Sequence, residues 1–124
     1  MTDAKEKSRI LVVEDEAIVA ADIQDRLTAL GYQVVGTTGN GEEAVRLAAR
    51  VHPNVVLMDI ILDSTMDGVQ AADLIRKDHD IPVIFLTAHS DEKTLQRARI
   101  SEPFGYIVKP FEEHSLHATI QMSL

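Results

Sequence analysis

The sequence predicts a doubly wound α/β domain, a five-stranded parallel sheet with helices on both faces, and three observations carry that reading. Five short apolar, β-branched runs punctuate the chain, roughly Arg9–Val13, Gln33–Thr37, Asn54–Met58, Pro82–Thr87 and Gly105–Val108. Each is followed by a helical pattern, and five such alternations call for right-handed crossovers around a parallel sheet. The runs are nearly continuous in apolar character, as suits strands covered on both faces. At 124 residues the chain is one domain, long enough for a single core.

Taken in order, Met1 to Ser8 is polar and is expected to be a frayed lead-in, which leaves 9–124 as the folded domain. After the first strand, Val19, Ile23, Leu27 and Leu30 recur at helical spacing, and Gly31 supplies a C-cap. The second strand runs into Gly36-Thr37-Thr38-Gly39-Asn40-Gly41. Its glycine order is reversed from that of a dinucleotide fingerprint and no P-loop lysine follows, so it is read as a turn. Asn40 can cap the second helix, with Glu43 completing a capping-box pattern, and Ala44, Leu47 and Ala48 face inward. Asp67 and Gln70 repeat that start signal before Ala71, Ala72 and Ile75. Ser90, followed by Asp91 and Glu92, opens a fourth helical pattern whose acids suit the positive end of the helix dipole. A fifth pattern places Leu116, Ile120 and Leu124 on one stripe.

Composition narrows the function. The net charge is −8 with no basic cluster, which argues against direct binding to nucleic acid or to an anionic membrane surface. There is no cysteine, hence no disulfide framework or thiolate zinc site. No apolar run reaches membrane-spanning length, and Met1 to Arg9 lacks the core of a signal peptide. A soluble cytoplasmic domain is expected.

Chemistry gathers at the strand ends. Glu14 and Asp15 close the first apolar run, Asp59 closes the third, Thr87 the fourth, and Lys109 the fifth. With strand order 2-1-3-4-5, taken by analogy with other doubly wound sheets and not from periodicity, the first and third strands are neighbours, and the three acids meet at the carboxyl edge, where ligands of such sheets bind. Three carboxylates in one crevice call for a hard divalent cation with oxygen ligands. Acids, hydroxyl and amine together amount to a phosphoryl site. Taken singly, each has a plainer explanation. Glu14 and Asp15 could cap the first helix, Asp59 could be a turn residue, and Thr87 and Lys109 could be an ordinary strand residue and a solvated lysine. Tyr106 could be a half-buried strand tyrosine with no further role. His114 and His117, lacking a third ligand, are expected to be solvated, and His52 and His79 carry no signal. His89, two residues past Thr87, can overhang the site.

Val13-Glu14-Asp15-Glu16, the strand ending in Asp59, Asp67-Gly68, Leu86-Thr87-Ala88 and Tyr106-Ile107-Val108-Lys109-Pro110-Phe111 resemble, in register, the receiver domains of two-component response regulators. The resemblance covers Ile10 to Leu124 and implies a flavodoxin-like (βα)5 fold. It implies Asp59 as phospho-acceptor, and Mg²⁺ (or Mn²⁺) held by Glu14, Asp15, Asp59 and the carbonyl of Ile61. It further implies Thr87 and Lys109 on the phosphoryl oxygens, Thr87 and Tyr106 as switch residues, a cis Lys109-Pro110 bond, and control of phosphoryl lifetime by Ile61 and His89. Burial beside two further acids opposes ionisation of Asp59, and a bound cation relieves that conflict. The implied partners are a sensor histidine kinase and a downstream effector, or a fused PAS- or kinase-type module if the domain is a piece of a longer chain. The implied output surface is the fourth helix, last strand and fifth helix, which could also serve a homodimer. The sequence departs from the usual pattern after Asp59, where Asp63 stands in the place of a common proline and the loop to Asp67-Gly68 is one residue longer. An aspartate-nucleophile phosphatase usually carries a second aspartate two residues past the nucleophile. Here that residue is Ile61, so a signalling phospho-acceptor rather than an enzyme acting on an outside substrate is expected.

Overall fold

The computed structural model describes residues 7–62, 64–87, 96, 104–108 and 112–124. Its elements are β1 (Arg9–Val13), α1 (Ala17–Ala29), β2 (Gln33–Thr38), α2 (Gly41–Val51), β3 (Val55–Asp59), α3 (Gly68–His79), β4 (Val83–Thr87), β5 (Gly105–Val108) and α4 (Glu113–Ser123). The C-terminal helix α4 is the fifth helical pattern of the sequence. The fourth, opened by Ser90, lies outside the described residues apart from Gln96, which is helical. All strand pairs are parallel, in the order β2-β1-β3-β4-β5.

The period-2 pleat sends successive strand residues to opposite faces, so one continuous apolar run builds two cores. Leu11, Val13, Val56, Met58, Val83 and Phe85 pack with Ala44 and Ala48 of α2 and Ala71, Ala72 and Ile75 of α3. Ile10, Val12, Val55, Leu57, Ile84 and Leu86 pack with Ile23 and Leu27 of α1 and Leu116 and Ile120 of α4. Small residues on the inward stripes of α2 and α3 let those two helices lie close over one face.

The helix ends show why the elements stop where they do. Gly31, at φ +97°, sits just past α1; its N–H donates to the Thr28 carbonyl and that of Tyr32 to the Leu27 carbonyl, a Schellman ending. Asp67 and Gln70 form a complete capping box on α3. On α2 only half the expected box is present. Asn40 Oδ1 accepts from the Glu43 N–H at 2.9 Å, but the Glu43 carboxylate turns away to accept from the Thr38 hydroxyl.

Three further expectations need correction. Leu124 is 51% exposed, because it is the C-cap that follows α4 and no longer lies on the helix's inward face, so the inward stripe is Leu116 and Ile120. His117 is half-buried rather than solvated. Its Nδ1 lies 2.9 Å from the Tyr32 hydroxyl, which also accepts from Gln121 Nε2 at 2.7 Å and so ties α4 to the α1–β2 connection. Ser8, just before β1, is tied to β2, its carbonyl accepting from the Gln33 N–H at 2.9 Å. Strand edges also move: β3 begins at Val55, because Asn54 spends its N–H on the Arg9 carbonyl and its side-chain oxygen on the Arg9 N–H. No helix among the described residues is long and apolar enough to cross a membrane.

Candidate functional site

Neighbouring β1 and β3 run in register with Val13 opposite Met58, so Glu14 and Asp59 leave the sheet side by side at its carboxyl edge. Carboxylate oxygens of Glu14, Asp15 and Asp59 all lie within 4.8 Å of one another. Glu14 and Asp59 are 4% and 9% exposed and form the floor, while Asp15 stands exposed at the rim. The switch in strand order at β1 makes this crevice: α1 leaves on one face of the sheet and α3 on the other.

Backbone hydrogen bonds hold the acids in place. The Glu14 N–H donates to the Thr38 carbonyl at 2.9 Å, and the Glu16 N–H donates to Glu14 Oε2 at 3.1 Å. Asp59 is the last rung of the β3–β4 ladder, opposite Leu86, and the Ile60 N–H donates to the Leu86 carbonyl at 3.2 Å. The Ile61 N–H reaches Asp59 Oδ1 at 3.3 Å, the local bond of an Asx turn. Neither acid of the first pair occupies the N-cap position of α1, which is Glu16.

Glycines close the cradle by what they lack. A Cβ on Gly68 would meet the Asp59 carbonyl oxygen at 2.0 Å, and its N–H donates to the Ile60 carbonyl at 3.0 Å. A Cβ on Gly39 would meet Asp15 Cα at 2.8 Å, and one on Gly41 the Met66 carbonyl at 2.4 Å. The run Gly39-Asn40-Gly41 is thus more than a turn, because its glycines let the start of α2 press against the acidic loops. The reversed glycine order was the available signal, but it does not say which backbone approaches.

Thr87 ends β4 one residue beyond the partner of Asp59 and is buried. Tyr106, on β5, pairs with Phe85, and their rings lie 6.2 Å apart at 30°. The pleat puts Thr87 on the same sheet face as Phe85 and Tyr106. Ile61 is 65% exposed between buried Ile60 and Leu62, so its side chain projects at the mouth of the site. Lys109, His89, Asp63 and the Lys109-Pro110 bond lie outside the described residues. The structure therefore brings together Glu14, Asp15, Asp59 and the Ile61 backbone at the ends of β1 and β3, with Thr87 on β4 and Tyr106 on β5.

Comparison with known proteins agrees with this geometry. A family model for the response regulator receiver domain matches residues 10–121. The transcriptional regulatory protein PdtaR of Mycobacterium tuberculosis is 37% identical over 98% of this chain, which spans 59% of that relative. For another curated relative the chain spans 49%. The signal receiver domain of a modulated diguanylate cyclase from Desulfovibrio desulfuricans G20 superposes with a TM-score of 0.91 at 41% identity, over 95% of this chain and 94% of that one. The receiver domain of a sensor histidine kinase from Pseudomonas aeruginosa PAO1, solved with a magnesium ion coordinated in its active site cleft, superposes with a TM-score of 0.86 at 31% identity, over 94% and 97%. With sequence, topology and acidic crevice in agreement over almost its whole length, the chain belongs to the response regulator receiver domains of two-component signalling.

Proposed function

We propose that this receiver domain stores a signal as an acyl phosphate on Asp59, taken from a phosphohistidine of a sensor histidine kinase. The observation that carries the reading is the convergence of Glu14, Asp15 and Asp59 within 4.8 Å at the strand-order switch. Oxygen donors around one hard cation lie up to about 4–5 Å apart, twice the metal–oxygen distance, so the cluster fits such an ion. The residues that would hold Mg²⁺ or Mn²⁺ are Glu14, Asp15, Asp59 and the carbonyl of Ile61, and the bound ion offsets carboxylate repulsion and the charge of the phosphoryl oxygens.

The chain's own residues do the rest by position. A carboxylate oxygen of Asp59 attacks phosphorus in line, the bond from phosphorus to the donor imidazole nitrogen breaks, and that nitrogen keeps the electron pair. Thr87, at the adjoining strand end, offers a hydroxyl to a phosphoryl oxygen, and Lys109 a flexible, single-point cation. Water later cleaves the acyl phosphate, so the domain catalyses only its own modification and its reversal. Output passes from Thr87 and Tyr106 to the face formed by the fourth helical pattern, β5 and the C-terminal helix. Exposed Phe104, Val108 and Met122 support an effector, a fused PAS- or kinase-type module, or a second copy as its partner. The chain spans 59% of one relative and 49% of another, which supports a domain drawn from a longer protein.

Incubation with acetyl phosphate or phosphoramidate, read by intact mass, tests the reading. Wild type gains one acid-labile phosphoryl group only with Mg²⁺ or Mn²⁺, and Asp59→Asn gains none. Equal labelling of the two proteins overturns it.

A further inference from the structure

The loop that carries Ile61 is tied to the rest of the domain by a hydroxyl in an unexpected place. Ser64 Oγ accepts the N–H of Gly41, the first residue of α2, at 3.1 Å and donates to the Met66 carbonyl at 2.6 Å. The two bonded partners are also in direct apposition, since no Cβ fits between Gly41 and the Met66 carbonyl. Of the orphan N–H groups at the start of α2, Asn40 Oδ1 takes that of Glu43 and Ser64, 23 residues further along the chain, takes that of Gly41. Ser64 is therefore a cap supplied in trans by the β3–α3 loop. A second anchor of the loop among the described residues is the Gly68 N–H on the Ile60 carbonyl at 3.0 Å, beside Asp59. Ile60 and Leu62 are buried on either side of exposed Ile61, which holds the backbone of this short stretch against the core.

We infer that Ser64 is a positioning residue for the cation site: by clamping the β3–α3 loop onto the first amide of α2, it fixes the Ile61 carbonyl at the distance and angle a divalent cation requires. This rests on the metal site proposed above. Mg²⁺ demands near-ideal octahedral geometry of its oxygen ligands, so a carbonyl ligand has to be held in place. The clamp does this without adding a charge. Outer-shell partners that orient metal ligands typically contribute about 10–100-fold in affinity. With the Ile60–Gly68 anchor still present, the lower end of that range is expected.

The experiment is Mn²⁺ binding followed by the EPR signal of the free ion, on wild type, Ser64→Ala, Asn40→Ala and Asp15→Asn, with thermal melts of each metal-free protein. Asn40→Ala removes the other α2 cap and leaves the loop clamp in place, so it reproduces the stability loss alone. Ser64→Ala and Asn40→Ala should melt at similarly lowered temperatures. Mn²⁺ affinity should fall about tenfold in Ser64→Ala, the lower bound for such ligand-orienting contacts, and stay within about twofold of wild type in Asn40→Ala. In amide spectra, paramagnetic broadening of Ile61 relative to Asp15 should weaken in Ser64→Ala only. If wild type binds Mn²⁺ and Asp15→Asn loses it while Ser64→Ala binds like wild type, the clamp is refuted and the metal site stands. Equal weakening in Asn40→Ala and Ser64→Ala also refutes the clamp, because general loosening of α2 then accounts for both. Wild type that binds no Mn²⁺, or an Asp15→Asn that binds it equally well, overturns the metal site and the clamp with it.

Discussion

Asp59 ends a buried strand, where a carboxylate contributes nothing to the core, and its oxygen already takes the Ile61 N–H. That local bond holds the side chain pointing out of the sheet edge toward Glu14 and Asp15. Its neighbour Ile61 is apolar and largely exposed at the mouth of the crevice, and such a side chain cannot orient a water for attack on phosphorus. Slow self-dephosphorylation is expected. Ile61→Asn should shorten the acyl-phosphate lifetime, and His89→Ala should change it while Mg²⁺ affinity stays nearly constant. Phosphoryl decay followed by intact mass checks both, and decay unaltered in both variants would place control of water elsewhere. Lys109→Ala should accept phosphoryl more slowly and leave the Thr87 and Tyr106 environments unmoved. Chemical shifts there that match phosphorylated wild type would remove the coupling role of the lysine.

Among the elements, α3 shows most directly how secondary structure serves the site. Its capping box at Asp67 and Gln70 starts the helix in register, and Gly68, its first residue, lies against the Asp59 carbonyl. No positive φ is involved at Gly68, so what excludes a side chain is space rather than backbone conformation. Gly68→Ala should therefore destabilise the fold by about 1–3 kcal/mol, as overpacking does, even though alanine is the better helix former. Displacement of the Asp59 backbone should also slow phosphorylation by acetyl phosphate. Urea unfolding and labelling rates measure the two effects separately. A variant as stable as wild type would show that the contact relaxes at no cost.

For the molecule as a whole, the two cores and the crevice are consequences of the same sheet. Burial of Ile10 through Val13 and Val55 through Met58 fixes two adjacent strands, and the acids that follow are forced together whether or not they repel. A cation that binds the folded crevice and not the unfolded chain stabilises the fold by mass action. The melting temperature should therefore rise with Mg²⁺ concentration in wild type. Asp15→Asn should lose most of that rise, since a hard ion gives up a charged oxygen ligand. Melts superimposable with and without Mg²⁺ in wild type would argue against the cluster as a metal site.

Strand and helix alternation, the five apolar runs, the capping residue Asn40, the Asp67–Gln70 box and the Gly31 ending were all legible in the sequence, because each depends on local periodicity or on one residue's conformational preference. The acidic trio was legible once the strand order was taken by fold analogy, since residues that end neighbouring parallel strands must share an edge. Only the tertiary structure could decide which backbones touch. Gly39 against Asp15, Gly41 against Met66 and Gly68 against Asp59 depend on how closely whole elements approach, and no sequence spacing encodes that distance. The same holds for Glu43, which left its expected box for Thr38, and for His117, which found Tyr32 rather than water. Ser64 belongs with them: a hydroxyl in a polar loop carries no signal of its own. Its partner, the first amide of α2, lies 23 residues away and reaches it only when the sheet order brings the β3–α3 loop over that helix.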